Sequence, residues 1–153
     1  MFVPASLDGI DRDILRVLDR HPRATTQYIA QDLKLARGTV LAHLRRLTES
    51  GLLAPATSRL DGAVVGKPLR VFVRAEVDQN RFDGLVEDLE RVPEIIECSA
   101  VSGGSDLLIE LVAADPDDVY RVTQRIMRCR GIRRTDSSFV LRQVIPRRME
   151  QLL

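Results

Sequence analysis

The side chains best suited to chemistry lie in one short segment, residues 35–53, with the sequence LARGTVLAHLRRLTESGLL. It carries arginine, histidine and threonine side chains, and no acidic residue interrupts them before Glu49. Guanidinium, imidazole and hydroxyl groups form hydrogen bonds with base edges in the DNA major groove and with phosphate oxygens. We therefore predict double-stranded DNA as the ligand of this segment. The predicted contact positions are Arg37, Gly38, Thr39, Ala42, His43, Arg45 and Arg46.

Apolar spacing places these groups on a helix. Val40, Leu44 and Leu47 recur at i, i+4 and i+7, so they share one face that packs on preceding helices, and the basic residues occupy the exposed faces. Gly51 supplies a left-handed stop. Basic amphipathic helices are also common as plain solvated surfaces, and this segment alone leaves both interpretations open.

Two shorter helical patterns precede the basic helix. The first is capped by Asp8 and closed by His21-Pro22, and the second is capped by Thr25 or Thr26. A turn at residues 34–36 joins the second to the basic helix. The apolar positions are Ile10, Ile14, Val17 and Leu18 in the first helix and Ile29, Ala30 and Leu33 in the second. Three short helices around an apolar interior predict a helix-turn-helix domain, winged-helix-like, over residues 1–53.

Residues 54–68 interrupt regular structure with two prolines and two glycines, and they predict a linker. Thr57 to Leu60 fits a short strand, so a wing or hinge strand and a plain connector are both open. The remainder, 69–153, predicts a second domain with the order strand, helix, strand, strand, helix, strand. Its predicted strands are Leu69 to Val77, Ile95 to Val101, Leu107 to Val112 and Thr135 to Ile145.

This βαββαβ order is that of the ferredoxin-like fold, an antiparallel sheet with both helices on one face, so the whole chain is predicted to be α+β. The first helix of this domain is marked by Leu85, Val86 and Leu89 and stopped by Pro93, and Asp115-Pro116 begins the second. We expect a second apolar face on the sheet, buried by pairing with another copy of the chain.

Composition is that of an ordinary globular protein, with 44% hydrophobic and 29% charged residues in 153. Residues 1–60 hold nine Lys and Arg against six Asp and Glu, a net +3, whereas the remainder holds 14 against 16, a net −2. A basic front half fits nucleic-acid binding.

The sequence shows no membrane span or signal peptide pattern, so a cytoplasmic protein without a disulfide between Cys98 and Cys129 is expected.

Four segments resemble the Lrp/AsnC, or feast/famine, transcription regulators. They are LDGIDRDIL at 7–15, the basic helix at 35–53, VPEIIECSAVSG at 92–103, and the turn GGSD at 103–106 before an apolar strand. The resemblance implies a homodimer that associates further, commonly to an octamer, and reads pseudo-palindromic promoter sites. It also implies a carboxy-terminal RAM domain, similar to ACT modules, that binds a small effector, often an amino acid.

The implied effector site is the turn formed by Ser102, Gly103, Gly104, Ser105 and Asp106. Glycine lets backbone N–H groups approach a carboxylate, and Asp106 can accept from an ammonium group. An ordinary hairpin turn has the same composition. Two departures from the family stand out: Ser105 occupies a position where the family usually has tyrosine, and Ala36 replaces the usual serine N-cap. With Gly38 in the first turn, Ala36 leads to the hypothesis that this helix end orders only on DNA.

Two other functions fit the same architecture. Some proteins of this kind resemble sirohaem decarboxylases, but those place histidines and aromatic residues in the second domain, whereas His21 and His43 are both in the first. The other alternative is an effector module that has lost DNA binding. No zinc spacing or phosphate-binding glycine motif is present, so we predict no catalytic residue, no metal, no cofactor and no membrane partner.

Overall fold

The computed structural model describes residues 6–78 and 83–153. Contacts divide the chain into a helical unit, Met1–Arg59 with Ile145–Leu153, and a sheet unit, Leu60–Val144. This division assigns the second half of the predicted linker to the sheet unit and the last nine residues to the helical unit; the boundaries 1–53, 54–68 and 69–153 stay predictions. In the described part of the chain, no helix is long and apolar enough to cross a membrane.

The helical unit contains the three predicted helices, α1 (Gly9–Arg20), α2 (Thr26–Asp32) and α3 (Arg37–Glu49). Asp8 caps α1 in a reciprocal capping box with Asp11, and the Thr25 side chain caps α2 by accepting from the Tyr28 N–H. Helical periodicity buries one side of each helix. The fully buried residues are Ile14, Val17, Ile29, Val40 and Leu47.

The connection after α3 differs from the strand that Thr57 to Leu60 permitted. Two 3-10 turns, Ala56–Arg59 and Gly62–Val65, occupy the described linker. The Pro55 carbonyl accepts from the Ser58 N–H at 3.0 Å, and the Asp61 side chain caps the second turn at Ala63 N–H, so local hydrogen bonds replace strand pairing. This segment is a connector and not a wing strand.

Lys67 fastens the end of the connector to the sheet unit. Its Nζ donates to Asp118 Oδ2 at 2.7 Å and lies 3.6 Å from Glu94 Oε1. Asp118 is 2% exposed and also accepts from the Ala114 N–H at 2.9 Å. The Ala114 hydrogen bond and the Lys67 ammonium hold the pKa of Asp118 far below its usual range, so the carboxylate stays charged.

The sheet unit has the predicted ferredoxin-like order. Its strands pair antiparallel in the order β2-β3-β1-β4, and both helices pack against one face. The elements are β1 (Leu69–Val77), α4 (Leu85–Glu90), β2 (Ile95–Ala100), β3 (Leu107–Ala113), α5 (Pro116–Met127) and β4 (Ile132–Phe139). Alternate residues of β1 and β3 form the core with the helices, chiefly Val71, Val73, Ile109, Leu111, Leu85, Val122 and Ile126. Cys129 is buried there, whereas Cys98 is exposed on β2, and both thiols are free.

The predicted bounds of the last strand, Thr135 to Ile145, are wrong. β4 begins at Ile132 and ends at Phe139, because its register pairs Ile132 with Val77 and Phe139 with Val71. The Val140 N–H donates to the Arg70 carbonyl at 2.9 Å, and only Leu69 of β1 remains beyond that point. β1 therefore offers β4 almost no further backbone to pair with.

The second face of the sheet, which we call the outer sheet face, is not the apolar surface that we expected. Arg70 and Glu110 form an ion pair across β1 and β3, and Arg74 lies 3.4 Å from Asp136 on β4. Phe72 lies under the Arg70 guanidinium, 5.4 Å from ring centroid to Cζ. The outer sheet face therefore combines charged pairs with a few apolar side chains.

Candidate DNA-binding surface and effector turn

The exposed side of α3 forms a ridge that runs along the helix axis. Gly38, Leu41, Ala42 and Arg45 lie three or four residues apart, so they share one side of the helix, and all four are exposed. Val40 and Leu47 are fully buried on the side that packs against the other helices. We call these four residues the α3 ridge; its shape suits a groove and its charge is positive.

Two arginines at the ridge are free to meet a ligand. Arg37, in the first turn, and Arg45 are both exposed, and neither forms an ion pair with any described residue. Thr39 is half-buried in the same first turn. Unpaired guanidinium groups on an exposed helix are available to phosphates or base edges, because no intramolecular partner must be displaced first.

Two of the predicted DNA contacts are hydrogen-bonded to the start of α1. His43 donates at Nδ1 to Asp11 Oδ1 at 2.8 Å, and its side chain is 17% exposed. The Arg46 guanidinium donates to Asp8 Oδ2 at 2.8 Å and also to Asp11. The predicted set is thus divided: Arg45 lies on the ridge, whereas His43 and Arg46 bind the acidic start of α1.

Asp11 is the buried centre of this contact, with its side chain 1% exposed. Burial alone raises the pKa of Asp11, but hydrogen bonds from Arg46, His43 and the Asp8 N–H outweigh burial and lower that pKa to about 2. Asp8, Asp11 and His43 also have ligand atoms within 4.8 Å of one another, as a metal site does. The Arg46 guanidinium is ion-paired with both carboxylates.

Sequence reasoning missed Leu41, which is 51% exposed on the α3 ridge. It follows the core residue Val40 in the sequence, and hydrophobicity alone does not show which of the two is buried. In a helix they lie on different sides, because one residue turns the helix by about 100°. Leu41 adds an apolar surface able to contact a thymine methyl group.

The start of α3 lacks a side-chain cap, as the sequence predicted. Ala36 has an extended backbone and offers no acceptor to the first turn. Apart from its chain neighbours and the backbone of α3 itself, no heavy atom of the protein lies within 4 Å of the position that a Cβ of Gly38 would take, so Gly38 faces open space. The first turn of α3 therefore has no side-chain acceptor for its free N–H groups.

The predicted effector turn joins β2 to β3. Its hairpin is closed by the Val101 N–H, which donates to the Asp106 carbonyl at 2.9 Å, and Gly103 has φ +123°, which favours glycine. Asp106 Oδ2 accepts from the Val77 N–H at 2.7 Å. That carboxylate therefore anchors the end of β1 through one of its two oxygens.

A shallow depression of about 380 Å³ adjoins this turn. Its lining includes Ser102, Gly104 and Ser105 of the predicted site, together with Val101, Leu108 and Arg74. Arg74 was not predicted; it lies opposite Leu108 in the β1–β3 register, on the outer sheet face. The alternation of side chains along β1 is enough to predict that Arg74 lies on the outer sheet face. Its position near the turn depends on how β1 pairs with β3, which the sequence does not show.

Comparison with known proteins decides the family. A profile of the Lrp/AsnC ligand binding domain matches residues 70–150, and one of winged helix-turn-helix DNA-binding domains matches residues 7–54. The chain belongs to the Lrp/AsnC family. The resemblance that the sequence motifs carried, and the fold that it implied, are thereby confirmed.

Several Lrp/AsnC relatives match most of the chain. The transcriptional regulatory protein DoeX of Halomonas elongata is 33% identical over 76% of this chain and 75% of its own length. The structure of Mycobacterium tuberculosis leucine response regulatory protein LrpA is 27% identical, covers 94% of this chain and 98% of that one, and superimposes with a TM-score of 0.81. A Neisseria meningitidis transcriptional regulator, solved as a complex with L-Met, is 25% identical, covers 92% and 94%, and has a TM-score of 0.73.

The two matched domains establish the class of function. A helix-turn-helix DNA-binding domain joined to an Lrp/AsnC ligand binding domain, in a chain whose curated relatives are named as transcriptional regulators, is a DNA-binding transcriptional regulator. The contact residues on α3 and at the turn stay predictions.

Proposed function

We propose that this regulator binds promoter DNA through the α3 ridge, with Arg37 and Arg45 as its cationic contacts. The observation that carries the proposal is that these two exposed guanidinium groups lack an ion-pair partner among the described residues, on a helix whose opposite side is fully buried. Arginine binds guanine O6 and N7 in a bidentate manner, and Leu41 and Ala42 supply apolar contacts for thymine methyl groups. Gly38 and Thr39 allow the first turn to approach the backbone.

The binding species is a homodimer on pseudo-palindromic sites, with octamers as the higher assembly. The net charge of +3 over residues 1–60 is small for a DNA-binding domain, and two copies double the phosphate contacts. The outer sheet face offers a surface for a second copy, because Phe72 and Leu108 are only half-buried there. Because its partner is chromosomal DNA, the protein is assigned to the cytoplasm.

The effector in this proposal is an amino acid held at the turn of Ser102, Gly103, Gly104, Ser105 and Asp106. Backbone N–H groups of the glycines bind its carboxylate together with the Arg74 guanidinium, whose exposed pair with Asp136 is a weak one, and Asp106 Oδ1 accepts from its ammonium group. The L-Met complex of the Neisseria meningitidis relative supports this ligand class.

Enzymatic activity is not part of the proposal, and neither is the role of an effector module without DNA binding. The family and the relatives are named for transcriptional regulation. His21 packs edge-on against Tyr28 at 5.2 Å between ring centroids, and His43 binds Asp11, so both histidines have structural partners.

The test is a gel shift of the purified protein on a fragment carrying its own promoter and on genomic DNA selection pools, across salt and with a mixture of amino acids. Saturable, sequence-preferring binding that the amino acids alter is the expected result. Arg45→Ala should weaken binding and reduce the salt slope by about one, whereas Arg128→Ala, an exposed arginine of the sheet unit, should leave both unchanged. Absence of any sequence-preferring binding by the unaltered protein would overturn the proposal.

A further inference from the structure

Four side chains join the start of α1 to the middle of α3. Asp8 and Asp11 of the capping box accept from Arg46, and Asp11 also accepts from His43. We call these four residues the α1–α3 clamp. It connects residues 32 to 38 positions apart, so it is a tertiary contact and not a local helix pair.

The centre of the clamp is a buried carboxylate. The Asp11 side chain is 1% exposed and accepts from three groups: the Asp8 N–H at 3.0 Å, His43 Nδ1 at 2.8 Å and the Arg46 guanidinium. A buried carboxylate is strongly destabilised when it loses a partner. Any rotation of α3 that moved His43 and Arg46 away from Asp11 would therefore be unfavourable.

The clamp also fixes which side of α3 faces outward. His43 and Arg46 are three residues apart and share one flank of the helix, while Leu41 and Arg45 are four apart and share another. Holding the first flank against Asp8 and Asp11 sets the rotation of α3 about its axis. That rotation decides whether the second flank meets the ligand.

We propose that His43 and Arg46 are positioning residues for operator recognition, which act through Asp8 and Asp11 to orient the α3 ridge toward the base edges. The inference rests on the proposed function, since it requires that the ridge reads DNA. It assigns these two residues a role different from the direct contact that the sequence suggested.

Replacing the buried carboxylate of Asp11 distinguishes direct DNA contact by Arg46 from orientation of α3 by the clamp, because the two roles change operator affinity in opposite directions. If Arg46 contacts DNA directly, Asp11→Asn removes a negative charge, releases the guanidinium and leaves operator affinity unchanged or higher. If the clamp orients α3, Asp11→Asn loosens the helix and lowers operator affinity by about tenfold, with a smaller loss on non-specific DNA. Circular dichroism of the same samples measures the folded fraction.

Two variants at adjacent arginines provide a second test in case Asp11→Asn fails to fold. Arg45→Gln and Arg46→Gln remove the same charge one residue apart on α3. We expect Arg45→Gln to reduce the salt slope by about one, and Arg46→Gln to lower the ratio of operator to non-specific affinity without that change in slope. The double variant Arg46→Gln with Asp11→Asn should lose no more operator affinity than the weaker-binding of the two single variants, because both substitutions break the same contact.

Each remaining outcome is informative. Equal salt slopes for the two arginine variants, or higher operator affinity of Asp11→Asn, would overturn the inference while leaving the proposed function intact. Equal losses on operator and non-specific DNA, in proportion to the unfolded fraction, would reduce the clamp to a purely structural role and also overturn it. Failure of the unaltered protein to bind any sequence selectively would instead reject the proposed function.

Discussion

Leu41 carries the apolar part of the proposed DNA contact. It is 51% exposed on the α3 ridge, so removing most of its side chain costs the helical unit little burial. Leu41→Ala should weaken operator binding several-fold, about 1 kcal/mol, and relax the preference at one base pair, because a mismatched contact costs about that much. The salt slope should stay the same, since no charge is lost. Leu52→Ala, another exposed leucine of the helical unit, is the control in the gel shift, and equal affinity for both variants would contradict the contact.

The pH dependence of stability belongs to Asp11. Its pKa is lowered to about 2 in the folded protein, because the hydrogen bonds from Arg46, His43 and the Asp8 N–H outweigh the effect of burial. A lowered folded pKa gives stabilisation that is complete above the unfolded value of about 3.9 and is lost as pH falls toward 2. We expect thermal unfolding of the helical unit to shift down between pH 5 and pH 2–3, about the range of these pKa values, and to shift less in Asp11→Asn. Parallel acid curves for the two proteins would show that Asp11 has no such role.

The first turn of α3, which is part of the proposed DNA contact, lacks a side-chain cap. Ala36 provides no side-chain acceptor for that turn. Ala36→Ser should raise the free energy of unfolding by about 1 kcal/mol and slow amide exchange at Arg37 to Thr39, because the hydroxyl accepts from an orphan N–H. Ala42→Ser, an exposed substitution within the same helix, has no orphan N–H to satisfy and should not stabilise the protein. Amide exchange that is already slow at these positions in the unaltered free protein would rule out the hypothesis that this end orders only on DNA.

Local signals account for the elements that were predicted well. Asp8 and Thr25 cap α1 and α2 within three residues of themselves, and Asp115-Pro116 starts α5, so their positions could be predicted from short stretches of sequence. β4 could not be bounded in this way, because its ends depend on where β1 runs out, more than fifty residues earlier. Its apolar continuation after Phe139 resembles a strand in sequence, but the Val140 N–H makes the last hydrogen bond from the described part of that segment to β1.

Which groups the side chains of α3 contact was the least predictable part of the candidate site. The sequence places Arg45 and Arg46 side by side, and composition treats them alike. Arg45 lies on the exposed ridge and Arg46 binds Asp8 and Asp11, because the packing of α3 against α1 brings only one flank near the capping box. The same holds for Arg74, whose place beside the effector turn follows from the β1–β3 register.

Charge is distributed unevenly along the chain, and this links assembly to DNA binding. Residues 1–60 carry a net +3 and the remainder a net −2, so one copy offers few phosphate contacts and gains little attraction from its sheet unit. Two copies on one duplex double the contacts without changing either ridge. Assembly through the sheet unit should therefore control affinity at the helical unit, although no residue of the sheet touches DNA in this proposal.

Disrupting the outer sheet face tests that link directly. Phe72→Glu places a carboxylate beside Glu110, where pairing with a second copy would bury both, so we expect monomers in sedimentation velocity. The salt slope of DNA binding should fall by about half, because each monomer neutralises half of the phosphates. Tyr120→Glu, an equally drastic change at a 69% exposed position of α5, should alter neither property. A Phe72→Glu protein that sediments as the unaltered one does would place the dimer contact elsewhere, and a monomer with an undiminished salt slope would show that one α3 ridge is sufficient.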